Sequence, residues 1–300
     1  MKFFSKREHA SQIITLMAMM AAINVIVSVI AAFSIIASVF LIIILPLTST
    51  IVVLTCPEKY FPIYAFATIG LSIVATIWNL DITLFYVVPS IISGFVFGFC
   101  IKRDIYFGWS IVISTIFQTL VSFSIIPLIN VLFEIDFIRD LQEIFKISNA
   151  ILGQIFVCCS FYLIALIQTF LSYFVVQNEI AKFKQPSHEK VNNFYFGLIG
   201  VLFSLLILPV AFLSIGGAYV LELLSLTIAG IIIYEMFRMH LKKGIVISGI
   251  TILANVFLTA ILYSLVPDYC GLLLFALTPL IICLLPFCYF LLKKQHNKIK

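Results

Sequence analysis

Charge is scarce in this sequence, and so is nearly every residue type on which soluble chemistry depends. Only 10% of the 300 residues are Asp, Glu, Lys or Arg, while 63% are hydrophobic; soluble domains carry about 25% charged residues. Histidine occurs four times, at His9, His188, His240 and His296, always in polar breaks, so no imidazole relay is expected inside an apolar layer. The seven cysteines include no CxxC pair, and Cys100, Cys158, Cys159, Cys283 and Cys288 fall within or at the ends of apolar runs. Neither a metal site nor a disulfide framework is expected from them. There is no GxxxxGK(S/T) loop, no HExxH, no pair of aspartates within a run and no Ser/His/Asp constellation. These absences argue against ATP hydrolysis by the chain itself and against a membrane-embedded hydrolase. The chain is therefore expected not to be an enzyme and to need no cofactor.

What is present is apolar length. A membrane-crossing helix needs about 20 predominantly apolar residues, and the sequence offers ten such runs: Gln12 to Ala32, Ile35 to Thr55, Phe61 to Asn79, Leu84 to Ile101, Tyr106 to Leu132, Ala150 to Gln177, Phe194 to Leu213, Ala218 to Met236, Gly244 to Leu265 and Gly271 to Leu292. The runs are continuous rather than alternating, which excludes a β-barrel and predicts an all-α, polytopic membrane protein in contact with the lipid bilayer. Residues 12–55 hold no charge and are read as two crossings; one span followed by a re-entrant segment is the other arrangement. Met1 to His9 is basic and precedes an apolar run, but that run leads directly into another, so it is expected to remain as an uncleaved first helix.

The polar breaks orient the spans. Lys and Arg prefer cytoplasmic loops, and with the N-terminus inside, 16 of the 18 basic residues fall on the cytoplasmic side. Only Arg139 and Lys146 lie outside, beside Glu134, Asp136, Asp140 and Glu143. Ten helices with both termini cytoplasmic is the topology this implies. The net charge of +5 follows from these clusters and gives no sign of nucleic-acid binding. The polar stretch 179–193 divides a six-helix segment, residues 1–178, from a four-helix extension, residues 194–300, with a basic tail.

Within the spans polar groups are few. Glu222, four residues into the eighth run, is a candidate ion or proton site, since ionisable groups in a span are costly; contact with the outer interface, or a hydrogen bond within the bundle, is the plainer alternative. Glu235 and Asp81 sit at span ends and are expected to be solvated. Asn24, Gln118, Gln154, Gln168 and Asn255 are candidates for interhelical hydrogen bonds. Of these, Gln154 with Asn149 lies toward the outer half of the layer, where Trp78, Asn79 and Asp81 end the third run and Tyr86 begins the fourth. Together they form a candidate substrate site, although Trp and Tyr at that depth also serve as interfacial anchors. Ala18 with Ala22, and Gly94 with Gly98, give small residues four apart and form a candidate helix-docking face. Prolines 46, 89, 127, 209, 279 and 286 mark places for kinks. Residues 133–147 set Phe137, Ile138, Leu141, Ile144 and Phe145 at helical spacing against charged neighbours, which predicts a short surface helix, a connector or a lid.

The stretch QIITLMAMMAAINVIVSVI, containing Ala18 and Ala22, resembles the first helix of the substrate-capture (S) components of energy-coupling factor transporters. VVPSIISGFVFGFCIKRD is similar to those components too, and closer to the YybS-like bacterial membrane proteins. The resemblance covers roughly residues 10–178; the last four helices depart from the six-helix pattern. It implies a subunit that captures a small organic solute and is driven by a transmembrane coupling subunit and its ATPases, docked through the small residues of the first helix. No ligand-specific motif accompanies it. A self-contained secondary transporter and a non-transporting scaffold or regulatory subunit remain the competing readings.

Overall fold

A computed structural model describes residues 9–80, 83–103, 105–147, 150–180, 193–238, 246–254, 257 and 278–285. Among the described residues every regular element is helical and there is no strand. The described residues include nine bounded α-helices: α1 Ala10–Phe33, α2 Ile35–Thr55, α3 Phe61–Ala75, α4 Val88–Lys102, α5 Phe107–Phe133, α6 Phe137–Ile144, α7 Ala150–Ile180, α8 Asn193–Leu213 and α9 Ile215–Arg238. Among the described residues six segments are long and apolar enough to cross a membrane: Ala10–Phe33, Thr83–Lys102, Phe107–Phe133, Gly153–Val175, Tyr195–Leu213 and Ile215–Met236. The chain has the make-up of a multi-pass membrane protein. Most of the ninth and tenth runs, most of the stretch 179–193 and the basic tail lie outside the described residues, as do Asp81, Asn149 and Asn255.

Residues 12–55 form two helices. Ser34 breaks them with an extended backbone (φ −146°, ψ 116°), and α2 then continues as an uninterrupted helix through Pro46. The third run ends sooner than its apolar length predicts. Helix α3 stops at Ala75, Thr76 leaves helical geometry (φ −118°, ψ 35°), and Ile77–Asn79 make one 3-10 turn. The buried Thr76 hydroxyl lies 2.7 Å from that of Thr83, a side-chain bond that draws the two sides of the break together. A single π turn, Thr83–Val87, precedes α4. Pro89 in the first turn of α4 has no N–H to give the carbonyl of Phe85, and a widened turn accommodates that loss. The predicted surface helix is α6. The Asp136 carboxylate caps it by accepting from the Arg139 N–H at 3.3 Å, and Arg139 pairs with Glu143 one turn later at 3.2 Å.

The chain forms two compact units, one from Met1–Phe145 with Ser160–His188, the other from Lys146–Cys159 with Glu189–Lys300. In the first, α2 and α4 approach closely. A β-carbon on Gly94 would lie 2.4 Å from the Pro46 carbonyl oxygen, and one on Gly98 would lie 2.9 Å from the Val53 β-carbon. The Thr50 hydroxyl is 3.1 Å from the Gly94 carbonyl oxygen, and Lys102 closes the end with an ion pair to Glu58 at 3.1 Å. The second unit holds the first turns of α7 together with the α8–α9 hairpin. That hairpin turns at Ser214, whose hydroxyl accepts from the Gly217 N–H at 3.2 Å. Gly200 lets α8 approach Ile228 of α9 and Cys283, and Gly216 faces Cys158 of α7.

Candidate functional site

The first polar centre lies where α1, α2 and α3 meet. Asn24 Nδ2 donates to the Tyr64 hydroxyl at 2.9 Å, Tyr64 donates to Thr48 Oγ1 at 3.3 Å, and Thr48 donates to Asn24 Oδ1 at 2.7 Å. Three side chains from three helices thus close a ring in which each group both gives and accepts. All three are buried to within 3%, so water does not compete for these bonds. One turn further along α1, Ser28 donates to the Asn24 carbonyl at 2.7 Å, and Asn79 Nδ2 donates to the Ala32 carbonyl at 3.0 Å. Polar pairs of this kind fix helices in lipid because each partner is otherwise an unsatisfied group in hydrocarbon.

The ring holds α1 and α3 in a fixed relation, and their outward sides then form an apolar groove of about 610 Å³. On α1 its floor is Ala18 and Ala22, both exposed. On α3 it is Ala67 and Ala75, with Ile63 and Leu71 on the same wall. Small side chains on both walls keep the trough open, so another helix could approach these backbones closely. Gly94 and Gly98 are placed differently: their close contact is internal, with α2, and they do not line the groove. Tyr64 and Thr48 were not apparent as partners of Asn24 from sequence alone, and neither were the alanines of α3. The spacing of Ala67 and Ala75, eight apart on one helical face, is the signal that marks them.

Glu222 lies in the second unit, on α9. It is buried, with 4% of its surface exposed. Its Oε2 has no hydrogen-bond partner among the described residues. Cys159 and Tyr219 lie near enough to share its electrostatic field. An isolated carboxylate in such surroundings is costly in its charged form, and a proton or a bound cation relieves that cost. Glu235 also departs from expectation: it is only 3% exposed rather than solvated, because it lies on the buried face of α9 with Ile231, Ile232 and Met236.

Of the candidate substrate residues, Asp81 and Asn149 lie outside the described residues, and the others have separate surroundings. Trp78 is 64% exposed, Asn79 serves as a tether to α1, and Tyr86 packs against the α1–α4 core. Gln154, in the second unit, is exposed. Gln118 and Gln168 do meet: Gln118 donates to Gln168, which donates to Ser90. No group of three or more His, Cys, Asp or Glu side chains suited to a metal occurs among the described residues. The chain matches no family model, no curated protein and no solved structure.

Proposed function

We propose that this chain is a membrane subunit of transporter type that binds a small organic solute and is energised by a partner ATPase module. The partner's transmembrane subunit docks along the α1/α3 groove. The observation that carries this reading is the open trough floored by Ala18 and Ala22. A lipid chain needs no small residues beneath it, whereas a helix that must approach another backbone does. The resemblance of this helix and of residues 87–104 to S components points the same way. In this reading the chain crosses the bacterial membrane ten times with both termini cytoplasmic, as the distribution of its basic residues favours.

Affinity purification from native membranes tests it. The expected outcome is recovery of a membrane-embedded partner and an ATPase with the wild-type chain. Ala18→Leu and Ala22→Leu should lose that partner while retaining the wild-type thermal midpoint, because both positions face outward. Recovery of the same partner with either variant would contradict docking in the groove.

Glu222 favours a second reading, a self-contained proton-coupled transporter. An apolar carbodiimide should then modify Glu222 at neutral pH, and Glu222→Gln should abolish both that modification and proton-dependent uptake by the isolated chain in vesicles. Uptake that survives Glu222→Gln counts against this second reading.

A further inference from the structure

Helix α6 is set off from its neighbours at both ends. Among the described residues only Glu134 (φ 53°) and Lys146 (φ 54°) are non-glycine residues with positive φ, and they bracket Phe137–Ile144. A side chain in the left-handed region crowds its own backbone, which is why glycine is usual where a helix ends in this way. Neither position has it. Strained positions of this kind persist only where surrounding contacts hold them, and they gather at segments that switch. The N-terminal stretch of the first unit also ends here, at Phe145.

What holds α6 is concentrated at its first residue. The Phe137 N–H donates to Asn130 Oδ1 at 3.1 Å, and the Phe137 ring lies 4.7 Å from that of Phe85 and 6.3 Å from that of Phe161. Phe85 belongs to the π turn, a widened geometry frequent at functional positions. The Phe137 ring also packs on the buried Leu84, Ile125 and Ile129. Further along the helix, Arg139, Asp140, Glu143 and Ile144 are exposed.

Two turns away from this seal lies the relay of Gln118, Gln168 and Ser90. Gln118 is seven residues before Ile125 on α5 and Gln168 seven after Phe161 on α7; seven residues make two turns, about 10 Å, along one face. Phe107 meets Tyr173 and Phe123 meets Phe161, so the two helices are antiparallel and both steps lead away from α6. In that layer Gln118 Oε1 and the hydroxyls of Ser114, Thr115 and Ser172 have no partner among the described residues. Such groups draw water when water reaches them, and an aromatic seal keeps it away.

We infer that α6 is a lid: hinged at Glu134 and Lys146, it lifts Phe137 off Phe85 and Phe161 and opens this end of the first unit toward the Gln118 layer. The movement is independent of any partner docked in the α1/α3 groove. The test is labelling of the full chain in detergent, where both ends of every helix are reachable, with a water-soluble maleimide read residue by residue by mass spectrometry. Ile129→Cys reports from beneath Phe137, and Ile125→Cys, one turn deeper, takes its place if that variant does not fold. Ile111→Cys is the control, equally buried and as far from the other end of α5.

The expected result is labelling of Ile129→Cys about tenfold faster than Ile111→Cys, as a local opening requires. Adding Asn130→Ala, which releases the Phe137 N–H without trimming the plug, should raise the first rate about fivefold and leave the second unchanged. With Glu134→Val the first rate should be about tenfold higher than with Glu134→Gly, because a β-branched residue tolerates the left-handed hinge least. Labelling of Ile129→Cys no faster than Ile111→Cys, the behaviour of a fixed cap, would overturn the inference. Variants that speed both cysteines together would overturn it as well, since they report unfolding of the whole unit and not movement of α6.

Discussion

Gly94→Leu yields no folded protein, and Gly94→Ala alone destabilises the first unit by about 3 kcal/mol or more, beyond the usual overpacking penalty. The reason is what the added carbon meets. It would lie 2.4 Å from a backbone oxygen, that of Pro46, and 2.7 Å from the Ser49 β-carbon. A flexible side chain could swing away from such an intrusion, but a carbonyl held in a helix cannot. Helices α2 and α4 must therefore separate. That movement breaks the Thr50 to Gly94 contact and strains the Lys102–Glu58 pair at the end of the same interface. Gly70→Ala is the matched control. Nothing lies within 4 Å of its added carbon, and it should be neutral or stabilising by up to about 1 kcal/mol. Thermal unfolding of both variants in detergent, with size-exclusion profiles, measures the contrast. Equal stability of Gly94→Ala and wild type would refute the α2–α4 contact.

Asn24→Ala should cost about 2 to 4 kcal/mol, combining a small cavity with the orphaning of buried partners. The ring geometry makes the loss cooperative. Without Asn24, Thr48 still donates to the Leu45 carbonyl at 2.9 Å, but the Tyr64 hydroxyl loses its only strong donor. Tyr64→Phe should therefore cost less than Asn24→Ala, and the double variant less than the sum. A coupling of about 0.5 to 3 kcal/mol is expected for residues in one network. Strict additivity would mean that the three hydroxyl and amide groups do not act as one ring. Because the ring sets the separation of α1 and α3, Asn24→Ala should also weaken partner recovery through the groove, although it does not line it.

Helix bounds were legible in the sequence, while rotation about the helix axis was not. The bounds of α1, α2, α5, α7, α8 and α9 fall close to the apolar runs because lipid requires long uncharged helices and polar breaks end them. Helix α6 was legible in full. Its two faces differ in polarity, so its periodicity is strong. In the spans, the lipid-facing and buried sides are equally apolar, so the period carries no azimuth. That is why Trp78 and Gln154, placed at a suitable depth, turn out to be exposed, and why Glu235 at a span end is buried.

Small residues carry more of the azimuth. Ala18 with Ala22 and Gly94 with Gly98 both mark close-approach faces, one open and one filled by α2. Spacing alone did not distinguish the open face from the filled one. The break at Thr76 and the π turn before Pro89 were hidden because both fall within apolar sequence, where a missing backbone bond leaves no mark in composition. The relay from Gln118 through Gln168 to Ser90 links residues 78 apart in sequence at its far end, beyond the reach of any local pattern.

The most direct measurement of the docking account is photo-crosslinking in native membranes from a reactive side chain placed at Ile63, on the rim of the α1/α3 groove and 61% exposed. The account predicts one discrete protein adduct, formed with a polytopic subunit that co-purifies with an ATPase and lost when Ala18→Leu is added. Adducts to lipid alone, indistinguishable from those formed at the exposed Ile30 of α1, would contradict it.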